Sequence, residues 1–252
     1  MNIAVSQIAI SENLEENTVK IVDQIERASR LGVELICFPE MCLTGYGPEL
    51  LLKKDFNRRV ERTMAEFENI CRQLKIAAVI GHAYLVKGEH YNRATVLLPN
   101  GGRYSYDKIY LTEQEEEYFN AGRDRMLFTY KGFKCGVIIC RDQNYPLLAR
   151  ELKEMGADLL FILSAHYYEP KEARWKLEKN RAIPITRAVE NKFYVFMANT
   201  VGTHLGMISL GNSLIADPEG AVVASAGEAG EAIISFDIDY RLEEQIKTWR
   251  KD

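Results

Sequence analysis

The chain has 252 residues, of which 47 % are hydrophobic and 27 % charged, with a formal net charge of −4. That is enough chain to bury one sizeable core; it offers nucleic acid no basic stripe, and its apolar runs fall short of the ~18 residues of a membrane span. The opening Met1-Asn2-Ile3-Ala4-Val5 has a strand pattern and lacks the basic-then-apolar form of a signal peptide, so the expected setting is cytoplasmic, with neither nucleic acid nor membrane as partner.

Ile3 to Ile8 is the first predicted strand. Leu14, Thr18, Ile21, Val22, Ile25, Ala28 and Leu31 then recur with helical spacing; Ser11 or Asn13 caps the start and Gly32 closes the end. Val33 to Phe38 is a strand that runs into Pro39-Glu40. Phe56, Val60, Met64, Phe67, Cys71 and Leu74 mark a second amphipathic helix. Ile76 to Leu85 and Tyr91 to Pro99 are strands joined at Lys87-Gly88-Glu89, and Asn100-Gly101-Gly102 turns the chain into Arg103 to Tyr106.

In the second half, Met126 to Tyr130 and Phe133 to Cys140 are predicted strands about Lys131-Gly132. Leu147 to Met155 is a helix closed by Gly156, and Asp158 to Ser164 an apolar strand. Lys171 to Asn191 is a long helical stretch with Pro184 placed to interrupt it. Phe193 to Asn199, Met207 to Ile215, Ala221 to Ser225 and Ala232 to Ile238 are strands, with a turn at Asp217-Pro218-Glu219-Gly220. Tyr240 to Arg250 is a last helix. No low-complexity linker divides the chain, so residues 1–252 are expected to form one α/β domain.

Three predicted strands end in reactive side chains. Glu40 follows the strand at Val33 to Phe38, Lys108 follows Arg103 to Tyr106, and Cys140 ends Phe133 to Cys140 just before a polar run and a helix. Strand ends are where α/β enzymes gather their reacting groups. A carboxylate, an ammonium and a thiol there make a candidate nucleophile with its base and its electrostatic stabiliser. The other cysteines, Cys37, Cys71 and Cys135, fall on buried faces, and Cys42 follows Glu40 near the same site. There is no CxxC pair, and His82, His90, His166 and His204 are scattered, so neither a metal nor an organic cofactor is expected.

Phe38-Pro39-Glu40, Asp107-Lys108-Ile109-Tyr110-Leu111 and Ile139-Cys140-Arg141-Asp142 stand in this order along the chain. They resemble the three signature stretches of the nitrilase superfamily, the carbon–nitrogen hydrolases. Thr44-Gly45-Tyr46, Arg187-Ala188-Val189-Glu190-Asn191, Asn199 to Gly202 and Gly211-Asn212-Ser213 extend the likeness over essentially the whole chain.

The resemblance implies a four-layer α-β-β-α sandwich of two mixed sheets flanked by helices. It implies Cys140 as nucleophile, Glu40 as its base, and Lys108 with the backbone N–H of Arg141 as donors to an oxyanion. A second carboxylate, Glu115, would orient Lys108; Glu117 is its rival in the run Glu113-Gln114-Glu115-Glu116-Glu117. Tyr46, Arg141, His166 and Tyr167 are the implied substrate contacts.

The implied activity is a hydrolase cleaving a small linear carboxamide through a thioester, with ammonia released. Carbamoyl amines and nitriles are the neighbouring substrate classes. A binding protein that kept the fold is the different-class alternative, against which the intact Glu40, Lys108 and Cys140 argue. The Phe38 to Tyr46 stretch is similar to the glutaminase domains of glutamine-dependent NAD synthetases, but no ATP-binding glycine-rich loop is visible, which argues against a two-domain synthetase. Family analogy also implies a homodimer or larger homo-oligomer, paired through Leu147 to Met155 and Lys171 to Asn191.

Overall fold

A computed structural model describes residues 1–238. The first half of the chain forms β1 (Asn2–Gln7), α1 (Leu14–Arg30), β2 (Leu35–Cys37), α2 (Pro48–Leu51), α3 (Phe56–Leu74), β3 (Ala77–Val86), β4 (Glu89–Leu97) and β5 (Arg103–Asp107). The second forms β6 (Leu127–Tyr130), β7 (Phe133–Ile139), α4 (Pro146–Glu154), β8 (Leu159–Leu163), α5 (Pro170–Asn191) and β9 (Tyr194–Ala198). It ends with β10 (Val201–His204), β11 (Met207–Leu210), β12 (Leu214–Ala216), β13 (Val222–Ser225) and β14 (Ala232–Asp237). None of the helices among the described residues is long and apolar enough to cross a membrane.

Two six-stranded sheets result, ordered β14-β1-β2-β3-β4-β5 and β13-β12-β9-β8-β7-β6. In each, the central strands run parallel and the outer ones antiparallel. Strand alternation decides the layers. Ile3 and Val5 of β1 meet Val137 and Ile139 of β7 and Phe161 of β8 in a core between the sheets. Ala4, Ile36 and Ile80 point the other way, onto Ile21 and Ile25 of α1 and Phe67 of α3. Ile138, Leu160 and Ile162 likewise leave the second sheet to pack on Leu148 and Leu152 of α4 and Ala188 of α5. This is the expected α-β-β-α sandwich. Caps support it: Asn13 Oδ1 accepts from the N–H groups of Glu15 (2.9 Å) and Glu16 (3.2 Å) at the start of α1.

Three expectations need correction, and one strand, β10, was not expected. Met207 to Ile215 is not one strand: Gly211 (φ 56°) and Asn212 (φ 60°) are both left-handed and break it into β11 and β12. The strand β10 pairs with β11 across Leu205-Gly206, again both with positive φ (49° and 78°), as a tight hairpin turn demands. Pro184 does not interrupt α5, which packs along β9, β11 and β12 and continues past the lost hydrogen bond. The strand expected at Val33 to Phe38 is reduced to Leu35–Cys37. The helix expected at Tyr240 to Arg250 lies outside the described residues.

Candidate active site

Glu40 is presented by a bend pressed against β3. Phe38 N–H donates to the Val79 carbonyl (2.9 Å), Pro39 leaves the sheet, and Met41 adopts φ 54°. Leu43 N–H then returns to the Gly81 carbonyl (3.1 Å). The bend fits because Gly81 is bare: a Cβ there would stand 2.5 Å from the Pro39 carbonyl oxygen and 2.8 Å from Glu40 Cα.

Lys108 follows the end of β5, where Arg93 grips Asp107 through two hydrogen bonds of 2.7 and 2.8 Å. The Lys108 N–H donates to the Asn92 carbonyl (2.9 Å), and its own carbonyl accepts from Gly122 (2.7 Å). Its ammonium is buried, 2.7 Å from Glu40 Oε1 and 2.7 Å from each oxygen of Glu115.

Cys140 opens a short 3-10 turn, Cys140–Asn144, straight after β7. Its φ of 44° is left-handed, a conformation that costs a non-glycine residue energy and persists only where the surroundings impose it. Asp142 does much of the imposing. Its Oδ2 accepts from the Tyr106 hydroxyl (2.7 Å) and the Ile139 N–H (3.0 Å), and its Oδ1 from the Tyr110 N–H (2.8 Å). One carboxylate thus ties the turn that holds Cys140 to the segment on either side of Lys108. Burial pushes Asp142 up to about 6 against the three hydrogen bonds.

Glu115 resolves the acidic run. It begins a 3-10 turn, Glu115–Glu117, and Thr112 fixes it twice: Thr112 N–H donates to Glu115 Oε2 (2.9 Å), and Glu115 N–H to Thr112 Oγ1 (3.2 Å). Glu115 is buried while Glu117 is exposed. Asn92, in mid-strand on β4, completes the cluster. Its Nδ2 donates to Glu40 Oε1 (2.7 Å) and to Glu115 Oε1 (2.9 Å).

These contacts set the charges. Burial raises the Glu40 carboxyl above its usual range, with Lys108 and Asn92 only partly offsetting it. Burial acts the same way on Glu115, but there Lys108, Thr112 and Asn92 prevail and hold it low. Desolvation would strip Lys108 of its proton; Glu40, Cys140 and Glu115 overcome this and hold the ammonium well above the ordinary lysine range. Burial, reinforced by Glu40, pushes the Cys140 thiol far up, with Lys108 pulling the other way. The Cys140 side chain is therefore held as a thiol that would need a base in order to react, beside a carboxylate whose proton affinity is raised.

The cluster opens on a cavity of about 660 Å³ whose wall includes Cys140, Tyr46, His166 and Tyr167. The Tyr46 phenol faces Glu40. Burial lowers His166 to about 3, so its ring is neutral; the ring reaches Gln143 Nε2 at 3.2 Å. Arg141 is not among the residues lining this cavity; it lies half-buried in the first turn after Cys140, where backbone N–H groups have no partner within the turn. Cys42 is buried beneath the Glu40 bend, its thiol 3.3 Å from the Gly81 carbonyl and raised to about 12 by burial. Among the described residues, no three His, Cys, Asp or Glu side chains are grouped to hold a metal ion.

The sequence reading missed Asn92 and Asp142. Asp142 stands in the Ile139-Cys140-Arg141-Asp142 stretch, and its place two residues past Cys140 was the available signal. Asn92 carried none, being one polar residue among several in the first half of the Glu89–Leu97 strand.

The family model for carbon–nitrogen hydrolases matches residues 2–248. A nitrilase from Pyrococcus abyssi is 33 % identical over 236 residues, covering 90 % of this chain and 85 % of its own. An (R)-stereoselective amidase from a Pseudomonas species is 27 % identical over 223 residues, covering 87 % and 77 %. The structure of a glutamine-dependent NAD+ synthetase from Acinetobacter baumannii superposes with a TM-score of 0.86 at 24 % identity, over 96 % of this chain. The chain spans 46 % of that synthetase's length.

Proposed function

The chain belongs to the carbon–nitrogen hydrolase family of enzymes, and from that premise we propose that it is an amidase, acting on small linear carboxamides through a thioester on Cys140. The observation that carries this is the Lys108 ammonium, 2.7 Å from both Glu40 and Glu115 at the base of a cavity walled by Cys140. Glu40 takes the thiol proton as the sulfur attacks the carboxamide carbon. The oxyanion that forms is stabilised by Lys108 and the Arg141 backbone N–H, a contribution worth ~10²–10³ in rate per donor. Glu40 passes its proton to the leaving nitrogen, and ammonia departs. Water, deprotonated by Glu40, then attacks the thioester; the acid leaves and the proton returns to sulfur. Glu115 keeps Lys108 charged throughout. A carboxyl with raised proton affinity suits this double duty, because it takes a proton more readily than an ordinary carboxylate and can pass it on.

The substrate's far end is read by Tyr46, His166 and Tyr167. A polar, largely buried wall rejects ligands that leave its groups unpaired, which favours carboxamides over aliphatic nitriles. The amidase relative and the glutamine-dependent structural neighbour support the amide reading; the 33 % identical nitrilase supports its competitor. An ammonia-release screen over amides, carbamoyl amines and nitriles decides. Aliphatic amides are expected to be fastest. Nitriles hydrolysed faster than every amide, or carbamoyl amines preferred throughout, would overturn the assignment.

The same reading makes residues 1–252 one domain that works as a homo-oligomer through α4 and α5. The exposed apolar side chains Leu147 of α4, Met155 just after it, and Trp175 and Val189 of α5 support this. Sedimentation should give a mass of at least two chains at micromolar concentration; a single-chain mass across that range would refute it.

A further inference from the structure

Asn92 lies behind the cavity, in the middle of β4, and does not line it. We propose that Asn92 is a positioning residue for the amidase reaction: its two Nδ2 hydrogens hold Glu40 and Glu115 in place while Lys108 turns a hydrogen to the substrate oxyanion. The proposal rests on the roles given above to Glu40, Lys108 and Cys140.

Counting hydrogens leads to it. An ammonium carries three, and the short contacts of Lys108 go to Glu40 Oε1, Glu115 Oε1 and Glu115 Oε2, each at 2.7 Å. A hydrogen given to an oxyanion is therefore taken from a carboxylate. The Asn92 Nδ2 hydrogens go to two of these same oxygens, Glu40 Oε1 at 2.7 Å and Glu115 Oε1 at 2.9 Å. When Lys108 lets go, both carboxylates still have a donor. Lys108 and Asn92 both bond Glu40 at Oε1, which leaves Oε2 outside their clasp.

The orientation of the amide is fixed by its neighbours. Ionised carboxylates only accept, so the nitrogen must face them. Oδ1 is then turned away, and it is buried with no hydrogen-bond partner. An unpaired buried carbonyl oxygen is costly, a cost that packing alone does not require at this position. The backbone repeats the link, since the Asn92 carbonyl accepts from the Lys108 N–H at 2.9 Å. One residue of β4 thus holds Lys108 by its main chain and both of its carboxylate partners by its side chain. The titratable groups that face Glu40 are Lys108, Glu115, Cys140, Tyr46 and Tyr168. Asn92 is a neutral donor, so it serves two carboxylates without adding a charge.

The test is kinetic. Asn92→Leu and Asn92→Ser are compared with the unaltered protein and with Glu40→Gln, using the carboxamide found in the ammonia-release screen. Without the amide donor Glu40 binds its proton more tightly, so the base form appears only at higher pH and the acidic limb of kcat/KM moves up. The expected result is a kcat lower by about 10–100-fold, the size of a lost hydrogen bond to a charged group, with KM within about threefold of normal. Either variant with normal kcat and an unmoved acidic limb, or with KM alone altered, overturns the proposal. Asn92→Ser leaves space rather than filling it, and its profile decides if Asn92→Leu fails to accumulate. A Glu40→Gln protein with full turnover would instead overturn the assignment of the base, whatever the Asn92 variants do.

Discussion

Cys140→Ala is expected to abolish amide turnover while leaving the fold intact. No other described cysteine can stand in: Cys37, Cys42, Cys71 and Cys135 are buried, with burial pushing each thiol up. The residual rate should therefore be background hydrolysis alone, since the nucleophile of a covalent mechanism has no partial substitute. The stability cost should be small, because the sulfur sits on a cavity wall rather than inside a packed core. Ammonia release and thermal unfolding of the purified variant check both halves. Retention of even about a tenth of the normal rate would exclude a thioester at this position.

Lys108→Ala should lose rate and stability together. The rate should fall at least ~100-fold with the loss of an oxyanion donor. Stability should fall by about 3–5 kcal/mol, the usual cost of leaving a buried charge without its partner. Here two carboxylates, Glu40 and Glu115, are left facing one another with Asn92 as their shared donor. The pH dependence distinguishes this from a simple packing defect. In the intact protein Glu115 is held low, so its stabilisation is present at neutral pH and is lost only as pH falls through that lowered value. Without the ammonium, burial and mutual repulsion raise both carboxyls. A raised carboxyl contributes stability at acidic pH that disappears as pH rises through its new value. The variant should thus lie closer to the intact protein at mildly acidic pH than above neutrality. Denaturant unfolding across that range measures it; a destabilisation independent of pH would point to lost packing.

The parts of the site legible in the sequence were those at strand ends. Glu40 and Cys140 each follow an apolar run, where the abrupt change of character marks the end of a buried strand; Lys108 follows the short polar-aromatic strand Arg103 to Tyr106. The choice between Glu115 and Glu117 was not legible, because in a run of acids the buried one is selected by a single 3-10 turn and its Thr112 anchor. Asn92 was invisible for another reason: it stands among polar neighbours, Glu89 to Arg93, and nothing in that pattern marks it as the buried one or says what it touches. The sandwich itself was out of reach of strand counting, since inner and outer faces are both apolar on the central strands. Alternation distinguishes the faces only once the partners are known, as for Ile138 against Ile139.

The pairing at one edge of the first sheet bears on how the chain is made. The free side of β1 is filled by β14, with Asn2 opposite Asp237 and Gln7 opposite Ala232. On a ribosome that edge stays open until the residues of β14, more than two hundred positions after β1, have emerged, on the order of tens of seconds at ordinary elongation rates. An unfilled strand edge is a template for pairing with other chains. The nascent chain therefore exposes a pairing edge that the folded protein does not, and extra chaperone during expression is expected to raise soluble yield; an unchanged yield would count against this.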